Sequence, residues 1–379
     1  MLPSHGCLLR WTHGHTRAGE PHARGRDARR REPGAARSFR RAGGILRSLR
    51  LALHRAPARG DGARSRGGRA DRRARGRLVG AAACRRRLAP ARRCAARAAL
   101  SDRDPALRAA YPAARPEWDA EVVWEAARAF LVREHAWVAD FLRFAPQTNE
   151  TRRSIALLTG FLDLAARFDL PLEVLEIGAS AGLNLSWDRF AYRTDSWTWG
   201  GPSTVLIETS WKGPPPRVDV RPRVRRRAGC DLNPLDVRNP DERLRLRAYV
   251  WADQLDRLAR FDAAVDVALA NDVRVERADA AEWLEERLSR RPDDALTIVY
   301  HSVFFQYPPP ATRKRIAAAI EHAGRTSSAP LAWLRLEPEA ALGGPHDSLR
   351  FLVDAVTWPD GSRRVLAETD GHARFVAIA

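Results

Sequence analysis

The sequence predicts an α/β protein, a doubly wound and mostly parallel sheet preceded by helices and closed by an antiparallel hairpin. Three observations lead there. From Pro171 onward, short apolar runs of strand type alternate with helical stretches, the pattern of parallel strands joined by crossover helices. One such run, Leu172-Glu-Val-Leu-Glu-Ile177, empties into a small-residue loop, Gly178-Ala-Ser-Ala-Gly182. A tight loop after a buried strand is the geometry that seats a nucleotide-like ligand. The last segments, Arg364 to Ala367 and Arg374 to Ile378 around Asp370-Gly371, read as a hairpin.

Charge divides the 379 residues into two parts. Residues 1–100 hold 27 Arg and 5 acidic residues, a net of +22, whereas residues 101–379 carry a net of −3. The head, rich in Arg, Ala, Gly and Pro, has no periodic apolar face able to offset its ordering entropy. It is expected to be disordered, or to be text produced by a mis-set start or frame in a GC-rich gene, unless part of 80–115 supplies a helix to the body. Arginine-rich arms bind nucleic acid through phosphate, but clustered aromatics and a known binding module are absent, which disfavours that partner. No apolar run reaches the roughly 18 residues of a membrane span. Met1 to Arg10 lacks the apolar core of a signal peptide, and no cysteine spacing suggests zinc or any other metal site. A reducing cytoplasm is the expected setting, with a small molecule as the expected substrate.

In the body, residues 101–170 read as helical. Val123, Ala127, Phe130, Val138 and Phe141 mark one apolar face, and Ile155, Leu158, Leu162 and Ala165 another. The polar turn Ala145-Pro-Gln-Thr-Asn-Glu150 lies between them. Residues 171–379 form the sheet domain. After the loop, Leu183 to Phe190 reads as the start of a helix, and residues 191–225, with Trp197, Trp199, Trp211 and three consecutive prolines, read as an insertion containing a hairpin. Val224 to Cys230 reads as a strand despite three arginines, Glu242 to Ala268 as a helix and Val273 to Val275 as a short strand. Asp279 opens a helix from Ala280 to Leu288. Leu296 to His301 is a strand of buried type, Arg313 to His322 a helix and Leu331 to Leu336 a strand.

Two enzyme classes claim the loop. Gly178-Ala-Ser-Ala-Gly182 matches the G-x-S-x-G of esterase-like α/β-hydrolases, with Ser180 as nucleophile and His346 or His372 as a partner. That elbow needs several strands before it, and here only helices precede it. The same residues resemble the acid and G-x-G-x-G loop of class I methyltransferases, with Glu176 as the acid and Ser180 in place of the middle glycine. A dinucleotide oxidoreductase needs its ribose acid about 20 residues on, whereas Asp231 lies 49 residues beyond Gly182.

Resemblance to the class I methyltransferases implies a Rossmann-like fold and S-adenosylmethionine as cofactor. It implies contacts from Glu176, Gly178, Ala179, Ser180, Gly182 and Asn184, from Asp231 to the ribose, and from Asp279 to the adenine. For Asp231 an Asx-turn before Pro234 competes with that role, and for Asp279 a plain helix N-cap. Gln147, Asn149 and Glu150 precede the helix leading into the first strand and are expected to cover the cofactor. Strand ends carry the chemistry in such sheets, so His301 is the candidate base and Gln306 stands beside it. Each could instead serve the sheet end alone. A third class stays open, a ligand- or partner-binding protein without chemistry.

Several ordered motifs carry a closer resemblance. Gln147-Thr-Asn-Glu150, Leu175 to Leu185 with Trp187-Asp188, Gly229-Cys-Asp-Leu-Asn-Pro234, Leu244 to Trp251, Tyr300-His-Ser-Val303 and Leu331 to Pro338 are similar to an uncharacterised bacterial family, domain of unknown function 2332. The resemblance spans about residues 101–379 and implies a fold without an assigned reaction.

Overall fold

The computed structural model describes residues 93–101, 103–111, 119–143, 146–251 and 253–379. Helix α1 occupies residues 93–100. It is followed by α2 (Pro105–Ala110), α3 (Ala120–Arg133), α4 (His135–Phe141) and α5 (Arg153–Phe168). Asp104 and Asp119 cap α2 and α3 by accepting hydrogen bonds from backbone amides of the first turn.

The boundary expected at residue 100 moves. Cys94, Ala95, Ala96, Ala98 and Ala99 are buried in the same core as Phe130 and Tyr249, and the Arg97 guanidinium donates to Asp241 Oδ1 at 3.0 Å. Small side chains let this short helix lie close against its neighbours. The end of the Arg-rich segment therefore supplies core to the body. The expectation for residues 1–92 lies outside the described residues.

Beyond α5 the architecture is mixed α/β, built on one large and mostly parallel sheet. Strand β1 (Leu172–Ile177) leads, through a small three-stranded sheet of β2 (Ala191–Arg193), β3 (Thr198–Trp199) and β4 (Leu206–Glu208), to β5 (Ser210–Lys212) and β6 (Val224–Asp231). Helices α6 (Pro240–Arg247) and α7 (Leu255–Ala270) precede β7 (Val275–Arg277), and α8 (Ala280–Ser289) precedes β8 (Leu296–Ser302). Helix α9 (Pro310–Thr326) and β9 (Leu331–Pro338) follow, then β10 (Phe351–Trp358), β11 (Ser362–Thr369) and β12 (Phe375–Ile378). The order across the sheet is β5-β12-β11-β10-β9-β8-β1-β6-β7. Strands β9, β8, β1, β6 and β7 are parallel, and β10 to β12 form an antiparallel meander.

Period-two alternation assigns the side chains to faces. Leu172, Val174, Ile298, Tyr300 and Leu334 pack with α5 and α7, while Leu175, Ile177, Val299 and Trp333 pack with α8 and α9. Burial on both faces explains why β1 and β8 read as nearly continuous apolar runs. Each fully buried Leu or Phe contributes about 1.5–3 kcal/mol. Gly160 sits against Leu334, where a Cβ would fall 2.2 Å from a methyl carbon, so a larger residue would force the Leu334 side chain or α5 to shift.

Three expectations are refined. The helix expected after the loop is of 3-10 type, Leu183–Arg189, and is kinked at Ser186. Its residues Leu183 to Trp187 are all buried, leaving no solvated face to sustain an amphipathic helix. The helix expected from Glu242 to Ala268 is two helices, α6 and α7, separated at 248–254. Strand β10 was not expected: Asp354 interrupts its apolar run, yet it is fully buried, held bidentately by Arg335 at 2.8 and 2.7 Å and by Arg363 at 2.6 Å. The closing hairpin exists as β11 and β12, with β10 making it a meander.

Candidate ligand site at the strand ends

Strand order reverses between β1 and β8, and at such a point the loops after the carboxyl ends part to leave a crevice. The loop after β1 is shaped by backbone conformation. Gly178, Ser180 and Gly182 have φ of 67°, 57° and 73°, all in the left-handed region. Glycine adopts this region without penalty and serine at a cost of about 1–2 kcal/mol. The alternating glycine pattern is thus a conformational requirement, and Ser180 occupies its middle position under strain. Val303, just beyond β8, is a β-branched residue at φ 54°, a second strained position on the opposite side of the crevice.

Loop amides are largely satisfied from within the protein. Ala179 N donates to Cys230 O, Gly182 N to Ala179 O, and Leu183 N to Asn149 Oδ1 at 3.0 Å. Ser180 N donates to Asp231 Oδ2 at 2.9 Å, and Asp231 Oδ1 accepts from Asn233 N at 2.9 Å in an Asx-turn. Asp231 remains half-buried at the end of β6. Gln147 reaches it at 3.5 Å and donates to Asn233 O at 2.7 Å. Asn184 donates to Glu150 O at 3.4 Å. The segment 147–150 therefore lies against the residues that follow the loop, through Asn149 and Asn184, and against the end of β6, through Gln147. Around this junction Ser180 Oγ, Asn184 Oδ1 and Gln147 Oε1 are buried without a hydrogen-bond partner.

The remaining expected residues are distributed differently. Asp279 caps α8, accepting from Ala281 N at 2.9 Å and Glu282 N at 3.3 Å. Glu176 points into the core on the α5 face, where it accepts from the Tyr300 hydroxyl at 3.1 Å. Burial pushes its carboxyl up to about 8, with the nearby charge of Asp231 adding to the rise and the Tyr300 hydrogen bond opposing it. His301 lies on the opposite face and is fully buried. Its Nδ1 is 2.7 Å from Glu337 Oε1, its ring stacks on Phe305, and its Nε2 has no partner. Glu337 also accepts from the amides of Phe304 and Phe305 at 2.7 and 3.1 Å, so the pair holds the turn after β8 in place. Gln306 is exposed on that turn. Glu176 and His301 thus do not converge.

Phe304 lies over Gly178, where a Cβ would meet its ring at 2.1 Å. Two features escaped the sequence reading. Glu337 sits in an apolar strand, the same signal that singled out Glu176. Arg257 and Arg260 pair with Glu150, with the charges of Arg152 and Arg153 close by, and no spacing in the sequence joins them. His372, in the terminal hairpin, lies 3.3 Å from Glu150 Oε2. Burial pushes the Cys230 thiol upward, away from thiolate chemistry. Among the described residues no group of three or more His, Cys, Asp or Glu side chains could hold a metal ion, and no helix is long and apolar enough to cross a membrane.

The chain matches the family described as uncharacterized protein conserved in bacteria, DUF2332, over residues 64–377. It belongs to that family. The match takes in β1, the loop, the 147–150 segment and the strands of the large sheet up to residue 377 in β12, and it reaches back beyond α1 into the Arg-rich segment. No curated protein matches the chain.

Proposed function

We propose that this member of DUF2332 is an S-adenosylmethionine-dependent methyltransferase of class I type that acts on a small molecule. One observation carries the reading: the three left-handed residues Gly178, Ser180 and Gly182 fall where the G-x-G-x-G pattern requires them, with the Asp231 carboxylate hydrogen-bonded to the middle one. The parallel strands β7, β6, β1, β8 and β9 follow the 3-2-1-4-5 order of doubly wound sheets, which supports a Rossmann-like core. Buried polar atoms without partners on Gln147, Ser180 and Asn184 suit a polar ligand lying along the loop. Asp231 would hold the ribose and the 147–150 segment would cover the group. Bound there, S-adenosylmethionine would supply an electrophilic methyl group.

The protein's part in such a displacement is alignment and exclusion of water. Phe304, over Gly178, would turn aside to admit a ligand and then shield it. Glu176, at the end of β1, accepts from the Tyr300 hydroxyl, and burial raises its pKa to about 8. His301 is sealed from solvent, so any base for a substrate that must lose a proton comes from elsewhere. That sealing favours a second reading, ligand binding without chemistry. Ser180 as an esterase nucleophile has less support: its Oγ is buried without a partner, and His372 is engaged with Glu150.

Calorimetric titration of the full chain with S-adenosylhomocysteine tests the proposal. Micromolar binding is expected, weakened by about 1–3 kcal/mol in Asp231→Ala, the scale for losing hydrogen bonds to a charged group. Undiminished affinity in that variant removes Asp231 from the site, and absence of binding to the parent chain overturns the cofactor.

A further inference from the structure

Two guanidinium groups, of Arg257 and Arg260, pair with one buried carboxylate at the start of α5, and the charges of Arg152 and Arg153 lie close by. Glu150 receives Arg257 Nε at 2.7 Å, Arg260 at 3.8 Å, His372 Nδ1 at 3.3 Å and the Arg152 amide at 3.2 Å. Arg153 donates to two carbonyl oxygens, Gly371 O at 2.9 Å and Ser302 O at 3.2 Å, while its charge is felt by Glu150 and Glu337 without direct contact. Arg152 has a buried Nε without a hydrogen-bond partner. Arg260, its side chain only 9% exposed, has a buried Nε in the same condition. Desolvated guanidinium donors are costly to leave unmade, and planar arginine forks suit carboxylate and phosphate oxygens. Glu150 offsets part of this charge and leaves a cationic excess.

The location gives the excess a use. Asn149, next to Glu150, holds the amide of Leu183 in the ligand loop, and Arg153 joins the end of β8 to the tip of the closing hairpin. The cluster thus borders the crevice between β1 and β8.

We propose that Arg152, Arg257 and Arg260 form an oxyanion-binding site that takes a carboxylate or phosphate group of a small-molecule ligand, with Glu150 as the counter-charge that keeps the cluster folded when empty. Two sources carry such a group: the carboxylate of a cofactor bearing a free α-amino-acid moiety, or an acidic substrate beside it. The site stands on its own geometry, and only the choice between the sources rests on the cofactor reading above.

The test is titration of the full chain with inorganic phosphate and inorganic sulfate, followed by calorimetry and by phenylglyoxal modification read by peptide mass spectrometry. Saturable anion binding is expected, at least tenfold weaker in Arg152→Gln and in Arg260→Gln and unchanged in Arg290→Gln, an exposed arginine paired with Glu286. Phosphate should also protect Arg152 from phenylglyoxal in the parent chain, a readout that needs no variant to fold. If S-adenosylhomocysteine weakens in Arg152→Gln by the same factor, the cofactor's carboxylate occupies the site; if its affinity is retained while phosphate binding is lost, the anion is the substrate's. Should S-adenosylhomocysteine fail to bind the parent chain, phosphate binding still decides the oxyanion site. No saturable binding of either anion, or equal binding by the parent and both variants, overturns the proposal.

Discussion

Glu150 and Glu176 are two acids buried to the same degree, each 3% exposed, near one end of one sheet. Their ionisation is driven in opposite directions. For Glu150 burial works against the charge, but the hydrogen bond from His372, the charge of Arg257, the Arg152 amide and the charge of Arg260 together bring its pKa down to about 2. For Glu176 burial carries the pKa up to about 8, with the Asp231 charge adding to the rise and only the Tyr300 hydroxyl and the more weakly felt Arg153 charge opposing it. Equal burial with unequal partners gives one permanent anion and one acid that is neutral at pH 7. Surroundings within hydrogen-bond reach, rather than depth, decide what a buried carboxyl can do.

The largest test of this contrast removes the anion. Glu150→Gln leaves Arg257 and Arg260 buried without a counter-charge and is expected to cost about 3–5 kcal/mol in urea denaturation. A loss below about 1 kcal/mol would mean that the arginines are solvated after all. If the cluster binds oxyanions as inferred, phosphate should restore part of the lost stability.

Next comes the pH dependence, where the two acids have opposite signs. Glu150 contributes stability above its unfolded value near 4.5 that is lost as pH falls toward about 2. Glu176 binds its proton more tightly when folded, so its contribution is complete below about 4.5 and is lost as pH rises through about 8. Glu176→Gln should therefore flatten the decline between these values, with a gain at pH 8 relative to the parent on the order of a few kcal/mol. Denaturation curves at pH 5, 7 and 9 check this, and an unchanged slope would show Glu176 to be ionised in the fold.

The smallest expected effect is at Ser180. Replacing a left-handed serine with glycine relieves its backbone strain while adding freedom to the unfolded chain. Ser180→Gly should shift stability by less than about 1 kcal/mol and leave S-adenosylhomocysteine binding intact. Stoichiometric labelling of Ser180 by a fluorophosphonate would instead make it a nucleophile.

The sequence by itself determined the order of the parallel strands' elements, the loop after β1 and the acid ending β6, because these rest on local patterns: two-residue alternation, small residues at a turn, and polar residues that stop a strand. It also singled out 147–150, where Asn149 bonds the residue after the loop and Gln147 the end of β6. Tertiary structure alone decided the rest. Residues 93–100 are mostly alanine and arginine, and only a docking partner makes their face a core. Strand β10 is legible only once Arg335 and Arg363 are beside Asp354. His301 lies at a strand end as its position suggested, but the parity of β8 and the carboxylate of Glu337 bury it. The arginines around Glu150 come from the starts of two helices about a hundred residues apart in the chain. Sequence spacing records what neighbours along the chain require, whereas charge clusters and pKa values depend on which distant groups the fold brings within a few ångströms.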